Sequence, residues 1–344
     1  MSNLLSPSDT NDFFRKNGYK IIRPHKIMDT PKNNETVFIT AGIQSAIDEY
    51  EKNKTINRSQ IFVMQPVLRT QYENSIGEGY SIAFVNPTTA CFNITYEEYK
   101  SDIEKWIQYF KFIGLDTSKI SIEERKYKST KWGCFNLSGK STFYYYNKTN
   151  IGNVEIGDST YYDKVEKSDG SENIIYSMSD TGFGLERLKW CLNNNRSYYD
   201  LFSDSSNISP EKKAIISAIG LIATNGIQPS QKSAGYRARS FSKKLVDMNN
   251  GKDLTINEQK YLIESIKYWS NFQCIDLKKE EAKDILFSSI SKEYTRNSNG
   301  YLLSTLSEEQ RSLVKKINVN LSKEEFIKRL KSAKIEITKN DEER

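Results

Sequence analysis

Apolar and polar positions change period several times along this chain. The run Thr10–Gly18 reads as a short helix stopped at its glycine, and the β-branched run Tyr19–Arg23 that follows reads as a strand. Val37–Thr40 reads as a second short strand, after which Ala41 and Gly42 open a helix. Ile61–Met64 and Pro66–Arg69 read as strand pieces, and Ser81–Val85 as another strand behind the glycine-bearing turn at Gly77–Gly79. Tyr99, Ile103, Ile107 and Phe110 recur at helical spacing with Trp106 beside them, which predicts an amphipathic helix. Residues 120–165 are rich in Tyr, Thr, Val and Ile with Gly and Asn between, and predict several antiparallel strands. Ile174, Tyr176 and Met178 alternate, giving a strand that runs straight into a helix from about Leu185.

The pattern then becomes helical. Ser209 followed by Pro210 has the form of an N-cap with proline in the first turn. Thr255 with Glu258, and Ser322 with Glu325, fit the capping box. The expected fold is α+β, an antiparallel sheet flanked by helices over 1–205, followed by an all-α domain over 206–344. The tail from Lys339 to Arg344 is expected to fray.

A length of 344 residues suits two domains, and 37% hydrophobic residues with 12% aromatics make this a globular chain. The net charge of +6 permits a polyanionic partner without requiring one. Cys91, Cys134, Cys191 and Cys274 are scattered without a CxxC pair, so neither a disulfide framework nor a zinc ribbon is expected. His25 is the only histidine, which excludes a multi-histidine metal site, and it is read as a surface or turn residue. No segment approaches the length of a membrane span, and the N-terminus lacks a signal-peptide pattern, so the expected location is cytoplasmic.

The sharpest local pattern is Ser179-Asp180-Thr181-Gly182-Phe183-Gly184-Leu185-Glu186-Arg187-Leu188. A strand ends, two glycines let the backbone turn, and a helix begins whose N-terminus attracts anions. Arg187 in that first turn opposes the helix dipole, and a bound triphosphate would account for it. Asp180, at the strand end, is placed to hold an ammonium group. Two look-alikes fail. In Gly182, Gly184 and Arg187 the third glycine of a dinucleotide fingerprint is missing. Gly139-Lys140-Ser141 ends like a P-loop, but the glycine spacing is wrong and its flanks read as strands.

This pattern, with Trp190-Cys191-Leu192 after it, resembles motif 3 of class II aminoacyl-tRNA synthetases in the form DTGxGLERL found in alanyl-tRNA synthetases. Other blocks fall in the same order. Asn11–Phe14 and Lys16–Tyr19 resemble the family's opening helix, and Phe38–Ile43 its "LFTNAGM" stretch. Met64–Arg69 and Glu73–Gly77 resemble its motif 2 strand and loop. Lys131-Trp132-Gly133 resembles the pocket tryptophan segment, and Glu155–Asp158 resembles "EIWN". Ala223–Ser230 with Gly235–Arg239 is similar to "IADGVxPSNxxRGYVLRR". The likeness covers residues 10 to about 245.

The resemblance implies roles. Arg69 would hold the α-phosphate and the amino-acid carboxylate, and Arg187 the far phosphates of ATP, so these two would carry catalysis. Phe84 would stack on adenine, with Gly184 beside the nucleotide. Asp180 would receive the substrate ammonium, while Trp132, Asp158, Thr160 and Gly182 would line a small amino-acid pocket. Mg2+ would accompany ATP, and no dedicated metal ligand is assigned. Lys232, Ser233, Arg237, Arg239, Lys243 and Lys244 would face tRNA.

The departures from the family are also specific. Asn136–Ser141 replaces its Gly-Pro-Cys-Gly-Pro-Cys loop, and its "EIWN" asparagine is Asp158. Thr160 stands near an apolar family position, and Ser233 falls where the family reads the acceptor stem. Ile216–Ile219 replaces an Asp-His-Ile-Arg segment, and no editing or C-terminal oligomerisation domain is recognised. The expected activity is ATP-dependent activation of a small amino acid, alanine first, and transfer to tRNA. The rivals are transfer to a carrier protein, peptide or small molecule, and a non-catalytic tRNA-binding paralogue.

Overall fold

The computed structural model describes residues 6–30, 36–53, 58–74, 76–77, 79–148, 151–171, 175–193, 198–201, 207–250, 254–273, 279–335 and 337. In chain order these form α1 (Pro7–Lys16), β1 (Lys20–Ile21), α2 (Gly42–Asn53), β2 (Ser59–Leu68), β3 (Ala83–Phe92), α3 (Tyr96–Phe112), β4 (Ile120–Glu124), β5 (Lys128–Trp132), β6 (Phe135–Lys148), β7 (Gly152–Lys167) and β8 (Met178–Phe183). Helices follow: α4 (Leu185–Leu192), α5 (Pro210–Thr224), α6 (Ser233–Met248), α7 (Ile256–Gln273), α8 (Lys279–Thr305), α9 (Glu308–Val314) and α10 (Lys323–Ser332).

The strands make one eight-stranded sheet in the order β1-β2-β3-β8-β7-β6-β4, with β5 also on β6. Only β1 with β2 is parallel. The fold is therefore α+β, as expected, with helices on both faces of an antiparallel sheet. On one face α2 lays Ile43, Ile47 and Tyr50 against Ile61, Ala90, Phe92 and Met178. On the other, Phe14 of α1 and Trp106, Tyr109 and Phe110 of α3 cover Phe62, Met64, Cys91 and Phe183. The same apolar cluster continues into Ile215 and Ile219 of α5 and Tyr261 and Trp269 of α7, so sheet and following helices share one core.

Local sequence rules explain several boundaries. Thr95 and Glu98 close a capping box at the start of α3, and Ser209 caps α5 with Pro210 in its first turn. Thr255 and Glu258 exchange bonds of 3.3 and 2.8 Å before α7. Ser322 caps α10, but Glu325 turns to Arg329 at 2.9 Å.

Other expectations were corrected. Val37–Thr40 is not a strand: Ile39 bonds to Ile27 and to Leu68 at single points, so the segment crosses the end of β2 instead of running beside it. The strand expected over Tyr19–Arg23 has only two residues, because only Lys20 and Ile21 pair with β2. Ile61–Met64 and Pro66–Arg69 belong to one strand up to Leu68 despite Pro66. Pro66 is opposite Val85, whose N–H points away from β2 to Glu186. By the alternation of antiparallel pairs, the Pro66 nitrogen also faces outward, past the end of β1, and no ladder bond is lost. Tyr176 precedes β8, while Ile174, Cys274, the boundary near residue 205 and the tail from Lys339 lie outside the described residues.

Candidate active site

Directly paired residues of antiparallel strands share a face. The register therefore places Ala90, Asp180, Thr160 and Ser141 in one row across β3, β8, β7 and β6. The adjacent row is Thr88, Gly182, Asp158 and Phe143, and Phe84 opposite Val67 lies further along the same face. Asp158, Thr160 and Tyr162 alternate along β7, so Tyr162, which the sequence reading missed, joins them by the same period of two.

Gly182 is required by close approach. A Cβ there would lie 2.9 Å from Asn86 Nδ2 and 3.2 Å from Thr88 Oγ1. A Cβ on Gly42, at the start of α2, would meet Thr88 Oγ1 at 2.3 Å. Asn86 holds this junction, accepting from the Gly42 N–H at 2.9 Å and donating to the Phe183 carbonyl at 2.9 Å.

Arg69 follows β2 directly. Its Nε donates to the Thr40 carbonyl at 2.7 Å, and its guanidinium lies 4.9 Å from the centre of the Phe84 ring. Tyr72 is a weaker partner, 3.4 Å from Nη1. Among the described residues, neither Asp158 nor Asp180 makes a hydrogen bond or ion pair. Burial pushes Asp158 up to about 6, with Arg69 pulling against it, Glu155 adding to it and Arg187 opposing. Burial raises Asp180 well above the ordinary carboxylate range; the Asp158 charge adds to this and Arg69 opposes it. The two carboxylates and Arg69 thus share one electrostatic environment.

The wall is polar and aromatic. Thr160 is buried and shares a 2.8 Å hydrogen bond with Ser141. Tyr162 is buried in the same apolar cluster as Trp132, and burial followed by the Asp180 charge pushes its phenol up. Trp132 reaches this place from the β5–β6 turn, where Gly133 supplies φ +58°.

Arg187 is largely buried and engaged. Its Nε donates to the Gly79 carbonyl, and Nη1 donates to the Glu155 carbonyl at 3.0 Å and pairs with Glu155 Oε1 at 3.3 Å. Tyr80 stacks under the guanidinium at 4.9 Å. Gly184, the residue before α4, leaves space for the Arg187 stem, since a Cβ there would lie 3.3 Å from its carbons. The structure gathers Arg69, Phe84, Trp132, Asp158, Thr160, Asp180 and Gly182 on one sheet face, with Arg187 and Gly184 at its end. Glu155 and Tyr80 were not assigned a site role from sequence, because nothing local marks them as partners of an arginine distant in the chain, and Tyr72 was missed although it lies three residues from Arg69.

The basic residues assigned to tRNA all lie on α6 or at its start, apart from the sheet. Lys232 and Lys243 are exposed, as are Ser233, in a left-handed conformation at φ +51°, and Tyr236. Arg237 is half-buried. Arg239 pairs with the buried Glu293 at 2.9 Å, and Lys244 with Glu211 at 3.0 Å and Glu73 at 3.6 Å. His25, expected at the surface or in a turn, is half-buried in an irregular segment: its side chain is 16% exposed and its backbone is held by Gln65 at 2.9 Å. Gly139–Ser141 lies within β6, where no phosphate loop can form.

No family model matches the chain, and no curated protein matches it. Among solved structures it is similar to a pyrrolysyl tRNA synthetase from Desulfitobacterium hafniense, with a TM-score of 0.39 and 10% identity over 58% of this chain and 72% of that one. A superposition this loose says nothing about activity, and the functional reading rests on the residues of this chain.

Proposed function

We propose that the chain is an aminoacyl-tRNA synthetase-like ligase that activates a small amino acid with ATP. The observation that carries this reading is the placing of two half-buried carboxylates, Asp158 and Asp180, near Arg69 on one sheet face, neither with a hydrogen-bond or ion-pair partner among the described residues. Carboxylates held partly away from water without a partner are costly, and a substrate ammonium would offset that cost. An α-ammonium on Asp180 would direct the substrate carboxylate toward Arg69. That carboxylate attacks the α-phosphorus of ATP in line, the bond to the bridging oxygen breaks, and pyrophosphate leaves with the electron pair. No protein base is needed, so the catalytic contribution is positioning and charge stabilisation by Arg69, with Arg187 on the far phosphates. Phe84, under the Arg69 guanidinium, and Gly184 belong to the nucleotide end. Among the described residues no three acidic, histidine or cysteine side chains cluster to hold a metal. Mg2+ would enter as part of the MgATP substrate, held mainly by phosphates and water.

Trp132, Tyr162 and Gly182 leave room for a small side chain. Alanine is the first candidate, with serine favoured if Thr160 offers its hydroxyl to the substrate. Transfer to tRNA would use the exposed face of α6 around Lys232, Tyr236 and Lys243. A specific observation keeps a second acceptor class open: Arg239 and Lys244 are held in ion pairs, and Ser233 replaces the residue that reads the acceptor stem in the resembled family. A carrier protein, peptide or small molecule would then receive the aminoacyl group. Among the described residues no helix is long and apolar enough to cross a membrane, and a cytoplasmic location belongs to the same proposal. The deciding experiment is amino-acid-dependent exchange of pyrophosphate into ATP across a panel of amino acids. Exchange with a small amino acid is expected. No exchange with any member would remove the activation reading, and preference for leucine or phenylalanine would remove the small pocket.

A further inference from the structure

Residue Glu186, in the first turn of α4, has no part in the scheme above and is buried. Its carboxylate accepts the Val85 N–H through both oxygens, at 3.1 and 3.0 Å, and the Tyr268 hydroxyl at 2.7 Å. The first of these has a topological cause. β8 pairs with β3 only from Thr88 to Phe92, so the beginning of β3 has lost its neighbour on that side. The Glu186 carboxylate replaces the missing strand at Val85, the residue after Phe84. Tyr268 comes from α7, which Trp269 fastens to α5 through a 2.9 Å bond to the Ser217 carbonyl. Lys189 lies 4.9 Å from the Tyr268 ring centre and 5.8 Å from that of Phe272, which gives this face of α7 a second hold on α4.

We infer that Tyr268 and Glu186 are positioning residues for the nucleotide end of the site, through which the helical half of the chain fixes Phe84 relative to Arg187. The inference rests on the proposed ATP-dependent activation. Phe84 is one bond from the amide that Glu186 holds, and Arg187 follows Glu186 in the same helical turn. A single buried carboxylate therefore sets the distance between the aromatic ring assigned to adenine and the arginine assigned to the far phosphates. Neither residue touches substrate, so the expected signature is weakened use of nucleotide with the amino-acid side intact.

Tyr268→Phe keeps the ring beneath Lys189 while removing the hydroxyl, and with it the long 3.4 Å contact from Lys189 Nζ. Glu186→Gln keeps the shape but not the charge. In the full chain, each is expected to raise KM for MgATP in the exchange assay by about tenfold, the scale of one hydrogen bond to a charged group. KM for the amino acid is expected to change less than about twofold, in proportion to the small share a distant contact contributes. MgATP binding by calorimetry reports the same loss without turnover, and thermal melting shows whether the variants are folded. Equal weakening for both substrates, or wild-type KM for MgATP in both folded variants, overturns the inference while leaving the activation reading in place. If Tyr268→Phe is unfolded, Glu186→Gln alone decides by the same split, and a loss of fold in both overturns a positioning role in favour of a purely structural one. A wild type that binds no MgATP overturns both the activation reading and this inference.

Discussion

Replacing Asp158 by asparagine is expected to stabilise the protein at neutral pH and scarcely at pH 4. The carboxyl is held up to about 6 against an ordinary 3.8, first by burial, with Arg69 giving only partial relief. A folded-state pKa above the unfolded value means that the folded chain binds the proton more tightly. The favourable contribution of this carboxyl is thus complete below the unfolded pKa and is lost as pH rises through the folded one. Linkage makes the ionised group cost about 3 kcal/mol at pH 7, and about 0.5 kcal/mol at pH 4. Asparagine cannot ionise, so the variant avoids that cost. It also removes the Asp158 charge that helps raise Asp180, which acts in the same direction. Urea unfolding at the two pH values tests this: the midpoint is expected to move upward at pH 7 by an amount equivalent to about 2–3 kcal/mol, and several-fold less at pH 4. The same substitution is expected to impair amino-acid activation, the usual relation between a strained site and stability. Equal stabilisation at both pH values, or a loss of stability at pH 7, would refute the reasoning, because Asp158 would then be satisfied by partners or solvent.

Asp180→Asn is expected to lower exchange with the preferred amino acid at least tenfold, from a lost charge-assisted contact of about 2–3 kcal/mol, while MgATP binding stays near wild type; normal activation would remove Asp180 from the ammonium site. Arg69→Ala is expected to slow adenylate formation about a hundredfold. Arg69→Lys is expected to recover little of it, because a point charge cannot reproduce the planar fork. Full activity of the lysine variant in single-turnover assays would contradict that. For α6, Lys243→Ala is expected to weaken salt-dependent tRNA binding without changing stability. Arg239→Ala is instead expected to destabilise the fold by about 1–3 kcal/mol, since it strips one partner from the buried Glu293. Gel-shift titrations at two salt concentrations, with thermal melts, separate the two effects, and a stable Arg239→Ala variant with weak tRNA binding would restore that residue to the nucleic-acid surface.

Local chemistry in the sequence determined much of this protein. The strand-to-helix junction at Gly184, the α3 stripe around Trp106 and the caps at Ser209 and Thr255 depend on neighbours within a few positions and were legible, whereas the turn expected at the two glycines does not form: Gly182 lies within β8 and Gly184 is extended. The α+β class was legible for the same reason, since strand and helix periods are local. Asp158 and Thr160 were assigned to the pocket through the family resemblance, and the alternation along β7 puts both on one face. Tertiary structure alone decided what stands opposite what. The strand expected at Val37–Thr40 failed because strand formation needs a partner at the right register, and β1 and β2 leave none for it. The unpaired state of Asp158 and Asp180, the Arg187–Glu155 pair and the Glu186–Tyr268 link span tens of residues of chain. The fates of Arg239 and Lys244 followed the same rule: their basic character was plain in sequence, but whether each charge faces solvent or a buried acid depends on helices that only the folded chain brings beside them.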